Sequence, residues 1–200
     1  MPTSEHSPAD GRTARRSENR EAALRCVVDL FTSNKLVPTI EMVAEASGVS
    51  IRSLYRYFGD GQAMIREAIE SLVTEAKSAG ITPNVGEGPF AERVEALVAG
   101  RFRAYKLVRV VLRAALVNIA NNPELAASQH RTRGLLEFQF KAQFAPELSQ
   151  LDEAEQTRVT QAGSAICNLE FIDMLCDRQG VSEQDAQAIV RRLLTDILAA

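Results

Sequence analysis

Along nearly the whole 200-residue chain, apolar residues return every three or four positions, and no sustained run alternates polar with β-branched residues. A stripe on that period lies on one side of a helix, so an all-α fold is expected. Leu24, Val27, Val28 and Phe31 mark the inner face of a first helix, which Asn34 closes because asparagine tolerates a left-handed C-cap. A short second helix follows Pro38 and Thr39, with Met42, Val43 and Ala46 facing inward. Gly48 then turns the chain, and Ser50 caps a third helix anchored by Leu54 and Phe58. Asp60 caps a fourth, which runs through Met64, Ile65, Ile69 and Leu72 and ends near Gly80.

Punctuation divides the chain further. Residues 1–11, with Pro2, Ser4, Ser7, Pro8 and Gly11, read as a flexible N-terminal tail, and residues 12–60 as one helical module. A connecting helix follows over 61–79, and "GITPNVGEGP" at 80–89 reads as a linker, carrying three glycines and two prolines. The remainder, 90–200, is expected to hold two helices from Phe90 to about Asn121, then Glu124 to about Phe144, Asp152 to Arg178 and Ser182 to Leu198. Gly180 closes the penultimate helix, and Ser182 with Asp185 three residues on forms an acidic variant of the capping box.

Charge is unevenly placed. The net charge is −3, yet the first sixty residues balance eight basic against eight acidic groups, so the acidic excess belongs to the later part. Arg12, Arg15, Arg16 and Arg20 precede the first apolar run, and they serve either a DNA-facing arm or solubility. The first twenty-five residues lack an apolar signal core, and no run reaches the roughly 18 apolar residues needed to span a bilayer. A cytoplasmic protein with no membrane contact is therefore expected. Cys26, Cys167 and Cys176 form no CxxC pair and read as reduced, buried thiols. With only His6 and His130, the chain has little material for a general base or a metal site. No catalytic residues, no metal and no cofactor are expected.

The segment "ASGVSIRSLYRYFGD", Ala46 to Asp60, places two arginines and two tyrosines just beyond a glycine turn. Two helices crossing steeply need a small residue near the crossing and a turn that admits positive φ, which Ala44 and Gly48 supply. Val49 and Leu54 are then buried, leaving Ser50, Ile51, Arg52, Ser53, Tyr55, Arg56 and Tyr57 on the outward and flanking faces. Arg52 suits bidentate bonding to guanine, Ile51 a thymine methyl, and the hydroxyls suit phosphates or base edges. An ordinary core hairpin with solvated arginines would need the small residue, the turn and the aromatic pair to coincide.

The run "TIEMVAEASGVSIRSLYRYFGD", Thr39 to Asp60, resembles the helix-turn-helix of the TetR family of transcriptional repressors, through its Gly-Val-Ser and Leu-Tyr-x-Tyr-Phe elements. With its flanks the resemblance covers about a quarter of the chain. It implies an N-terminal three-helix DNA-binding domain, a C-terminal helical ligand-binding and dimerisation domain, and DNA contacts from Thr39, Ser50, Ile51, Arg52, Ser53, Tyr55, Arg56 and Tyr57. The family's usual lysine at the start of the fourth helix is absent, Gly61 standing in its place, and Asn34 replaces the usual glycine after the first helix.

Beyond residue 89, an apolar stripe through Val98, Phe102, Val108, Val111, Leu112, Ala115, Leu116 and Ile119 is of a kind that usually forms core. Phe102, Tyr105, Arg109, Leu112, Phe138, Ile166 and Glu170 are the candidates for lining an effector cavity. Glu170 and Asp173 share a face with Ile166 and Leu169, so their carboxylates bind a polar ligand group, pair with an arginine such as Arg109 or Arg113, or lie at the rim of an interface. The expected protein is a ligand-responsive repressor that binds a near-palindromic double-stranded DNA operator as a homodimer through its last two helices, with an unidentified small-molecule effector. A structural DNA-binding protein without an effector is the alternative, and an all-α enzyme a weaker one.

Overall fold

The computed structural model describes residues 8–34 and 38–199. The described residues form an all-α protein without a strand: α1 Pro8–Asn34, α2 Ile40–Ser47, α3 Ile51–Phe58, α4 Gly61–Ala79, α5 Phe90–Asn118, α6 Pro123–Gln143, α7 Ala145–Leu148, α8 Glu153–Ile166, α9 Leu169–Asp173 and α10 Glu183–Leu198. α1 begins at Pro8, so residues 8–11 of the expected flexible tail are helical, while 1–7 lie outside the described residues. None of the helices is long and apolar enough, among the described residues, to cross a membrane.

The chain divides into two compact units, Met1–Val73 and Thr74–Ala200. In the first unit, Ala23 and Val27 of α1 close on Ile40 and Val43 of α2, Leu54 and Phe58 of α3, and Met64 and Ala68 of α4. The inward positions of α2 differ from expectation. Ile40 and Val43 are buried and Ala46 is exposed, because the helix starts at Ile40 and its stripe runs 40, 43, 47.

The second unit is built on α5, which packs against α9 and α10, while α8 bridges α6 and α10. Val94, Leu97, Val98 and Phe102 of α5, Phe140 of α6, Leu148 of α7, Ile172 of α9 and Val190 and Leu194 of α10 fill the core. Residues 90–118 form one 29-residue helix where two were expected, since the stretch holds no proline or cap and closes only at a 3₁₀ turn over Ile119–Asn121. The expected helix from Asp152 to Arg178 is instead broken. α8 ends at Ile166 with Cys167 as its C-cap, Asn168 caps α9 through Oδ1 to the Glu170 N–H at 3.3 Å, and a π turn follows over Met174–Arg178.

The stretch at 80–89 is not the boundary between units. It is a loop fastened within the second unit: the Gly86 N–H donates to Gln143 Oε1 at 3.2 Å, Arg93 Nε to the Gly88 carbonyl at 3.1 Å and Nη1 to the Gln143 carbonyl at 2.8 Å. The boundary falls inside α4. Gly180 does turn the chain before α10, at φ 67°, and Ser182 caps that helix through Oγ to the Asp185 N–H at 3.1 Å.

Candidate nucleic-acid interface

α2 and α3 are joined by a tight turn whose geometry depends on Gly48, at φ 69° and ψ 7°, a left-handed conformation that costs other residues about 1–2 kcal/mol. Its N–H closes α2 on the Ala44 carbonyl at 3.0 Å. Thr39 caps α2, its Oγ1 accepting from the Met42 N–H at 3.4 Å, and Ser50 caps α3, its Oγ accepting from the Ser53 N–H at 3.3 Å. Ser50 Oγ also donates to Ser53 Oγ at 3.0 Å.

Leu54, fully buried, and Phe58 fix which side of α3 turns inward. Ser50, Ile51, Arg52, Tyr55 and Arg56 are exposed in consequence, Tyr55 at 49 % and Ile51 at 42 %, while Ser53 and Tyr57 are half-buried at the flank. Two exposed large apolar groups beside two arginines leave a face that is positive and amphipathic. α1 steadies this helix. Arg16 lies 5.8 Å from the Tyr57 ring centroid, and Arg20 lies 5.2 Å from that of Phe58 while pairing with Glu67 of α4. Arg56 sits 5.3 Å from the Tyr57 ring. Interaction with its guanidinium holds the Tyr57 phenol below its ordinary value, with burial opposing and Asn19 assisting.

At the start of α4, Asp60 Oδ1 accepts from the Ala63 N–H at 2.7 Å. This cap fills one of the free N–H groups that a helix terminus offers an anion and places a carboxylate beside them. Gly61, the first residue of α4, adds no cation at that corner.

The seven residues expected to line a cavity are scattered. Phe102 and Tyr105 are buried in the core, Arg109 is exposed, Leu112 and Ile166 are half-buried, and Phe138 is 69 % exposed. Phe138 faces away from the core because α6 turns Phe140 and Gln143 inward, and a two-residue step sends a helical side chain to the other side. Glu170 pairs with Arg133 of α6 at 2.7 Å. Asp173, 2 % exposed, accepts from Tyr105 Oη at 2.9 Å and Arg113 Nε at 2.7 Å. Both carboxylates pair with an arginine, Asp173 with Arg113 and Glu170 with Arg133, which is one of the three fates open to them. Burial, with the bond to Asp173, pushes the Tyr105 phenol up to about 12.

Arg101 went unnoticed in the sequence because it stands in the apolar stripe. It is 2 % exposed, bonds the Gln139 side chain and the Leu136 carbonyl, and leaves Nε without a partner. Burial drives its pKa down. Near its charge, Cys167 is fully buried, and that burial pushes the thiol up to about 12. Cys26 and Cys176 are only half-buried, not buried as expected, and all three are free thiols. Among the described residues no group of three or more His, Cys, Asp or Glu is placed to hold a metal ion. Compared with protein-family models and with curated proteins, the chain matches none.

Proposed function

We propose that the chain is a sequence-specific DNA-binding regulator of transcription, with α3 as the element that enters the major groove. The observation that carries the reading is the outward face of α3, where Arg52 and Ile51 stand free of the core beside Tyr55 and Arg56 while Leu54 and Phe58 anchor the helix. Arg52 reads guanine by two parallel hydrogen bonds and Ile51 meets a thymine methyl. Thr39, Ser50, Ser53, Tyr55, Arg56 and Tyr57 position the helix against phosphates. In this reading the protein works as a homodimer on a near-palindromic operator, joined through α8, α9, the π turn after it and α10, where Ala162 and Ala165 of α8 and Met174 of the turn are exposed for a partner. A small molecule bound in the second unit acts by favouring one spacing of the two DNA-reading heads.

The test is selection of bound sequences from a random duplex pool, followed by Arg52→Ala. The variant is expected to lose about 1–3 kcal/mol on the selected site and much less on random DNA. Equal losses on both reassign Arg52 to a phosphate, and a pool that yields no enriched sequence removes the reading. A second reading, DNA binding without an effector, is favoured by the dispersal of the seven expected cavity residues between core and surface. Operator release by a small molecule decides between them.

A further inference from the structure

Two arginines of α1, one helical turn apart, are laid on neighbouring aromatic rings of α3: Arg20 on Phe58, at 5.2 Å from the ring centroid, and Arg16 on Tyr57, at 5.8 Å. Their charges are met differently. Arg20 is half-buried and pairs with Glu67 of α4, so it braces three helices with its counter-charge inside the protein. Arg16 is exposed and, among the described residues, pairs with no carboxylate. Its own helix offers it none, since the positions three and four residues away hold Arg12, Thr13, Asn19 and Arg20.

A second unpaired cation stands at the same ring. Arg56 of α3 lies 5.3 Å from the Tyr57 centroid and is exposed, and the one acid within four residues of it, Asp60, is turned to the Ala63 N–H at 2.7 Å. The two guanidiniums are thus no further apart than the sum of their distances to one ring. Attraction to the ring holds each in place but does not consume its N–H donors, which form a planar fork suited to phosphate oxygens. Like charges gathered from two helices repel, and an anion beside them removes that cost.

We propose that Arg16 is a DNA-backbone contact made by α1: its guanidinium, seated on Tyr57 beside Arg56, holds a phosphate of the strand that passes the flank of α3. Arg52 stands one turn before Arg56, about 6 Å back along the same helix, and faces the bases. The inference rests on the DNA-binding reading and adds to it a contact from outside the α2–α3 pair. A residue that only braced α3 would have its counter-charge in the protein, as Arg20 does.

The experiment is fluorescence anisotropy of the full chain, across a salt series, with a duplex enriched from a random pool and with a random duplex. Arg16→Gln is expected to weaken binding to both by a similar factor and to lower the slope of log K against log salt by about 0.9 per protomer. Between about 50 and 200 mM salt the variant should therefore lose about threefold less affinity per protomer than the parent does. Arg16→Lys keeps the charge and should hold the parent slope. Arg15→Gln removes an equal charge from the next position of α1, which points about 100° away, and should change the slope by less than half as much. The proposal is overturned if Arg16→Gln keeps the parent slope, if it lowers the melting temperature with the slope unchanged, as loss of a brace would, if Arg16→Lys loses the slope, or if Arg15→Gln lowers it equally. An enriched duplex that loses affinity on Arg52→Ala, with the slope unmoved by Arg16→Gln, removes this contact alone; a chain that binds no duplex removes both readings.

Discussion

Gly163 lies inside α8, where alanine would ordinarily improve a helix by about 1 kcal/mol. Here the substitution should do the reverse. A Cβ at this position would stand 2.1 Å from Phe140 Cζ, 2.5 Å from Cε2 and 3.0 Å from Cε1, whereas ordinary contact begins near 3.4 Å. The Phe140 ring is fully buried and lies 5.1 Å from the ring of Phe144, so it has no free volume into which to retreat. Overpacking of this kind costs about 1–3 kcal/mol, and the severity of the clash puts Gly163→Ala at the upper end, a net loss of about 2 kcal/mol after the helix gain. Phe140→Ala alone should cost about 3–5 kcal/mol through the cavity it leaves. In that background Gly163→Ala meets no ring, so it should stabilise by about 1 kcal/mol. The two substitutions therefore form a cycle in which one change reverses sign, with a coupling of about 3 kcal/mol. Urea unfolding followed by far-UV circular dichroism on the four proteins measures it. The same effect of Gly163→Ala in both backgrounds would show that the α6–α8 approach is not set by this contact.

Two further outcomes are expected. Gly61→Lys should tighten DNA binding and steepen the dependence of log K on log salt by about 0.9 per half-site, read by fluorescence anisotropy across a salt series; an unchanged slope means that the start of α4 does not approach the backbone. Because the folded-state pKa of Tyr105 is raised from 10.0 to about 12, its contribution is complete below pH 10 and is lost as pH climbs from 10 towards 12. In that window the parent should lose up to about 2 kcal/mol more than Tyr105→Phe in urea titrations, and parallel pH profiles would remove Tyr105 as the titrating group.

The starts of α2, α3 and α4 were legible from residue chemistry because each rests on local interactions. Thr39, Ser50 and Asp60 cap helices through their own side chains, and Gly48 takes the positive φ its place demands. The second unit was less so, since its decisive features are pairings between distant residues. Nothing near Arg101 announces that it will be buried against Gln139 and Leu136, and the bond between Tyr105 and Asp173 spans 68 residues. The glycines and prolines of 80–89 do signal a loop, but only Gln143 reveals that the loop is held. The break at Asn168 did leave a local trace, an asparagine at an N-cap, which the continuing apolar period concealed.

The Gln143 clasp bears on the order in which the second unit assembles. Gln143 Nε2 donates to the Arg93 carbonyl at 3.0 Å, Arg93 pairs through its guanidinium with Glu147, and the ring of Phe90 lies 5.9 Å from that guanidinium. Partners 50 to 57 residues apart meet only after the intervening chain has closed on itself, so the loop-closure entropy precedes any gain from these bonds. The clasp is therefore expected to form on the native side of the folding barrier, so that Gln143→Ala should speed unfolding while leaving the folding rate nearly unchanged in stopped-flow kinetics.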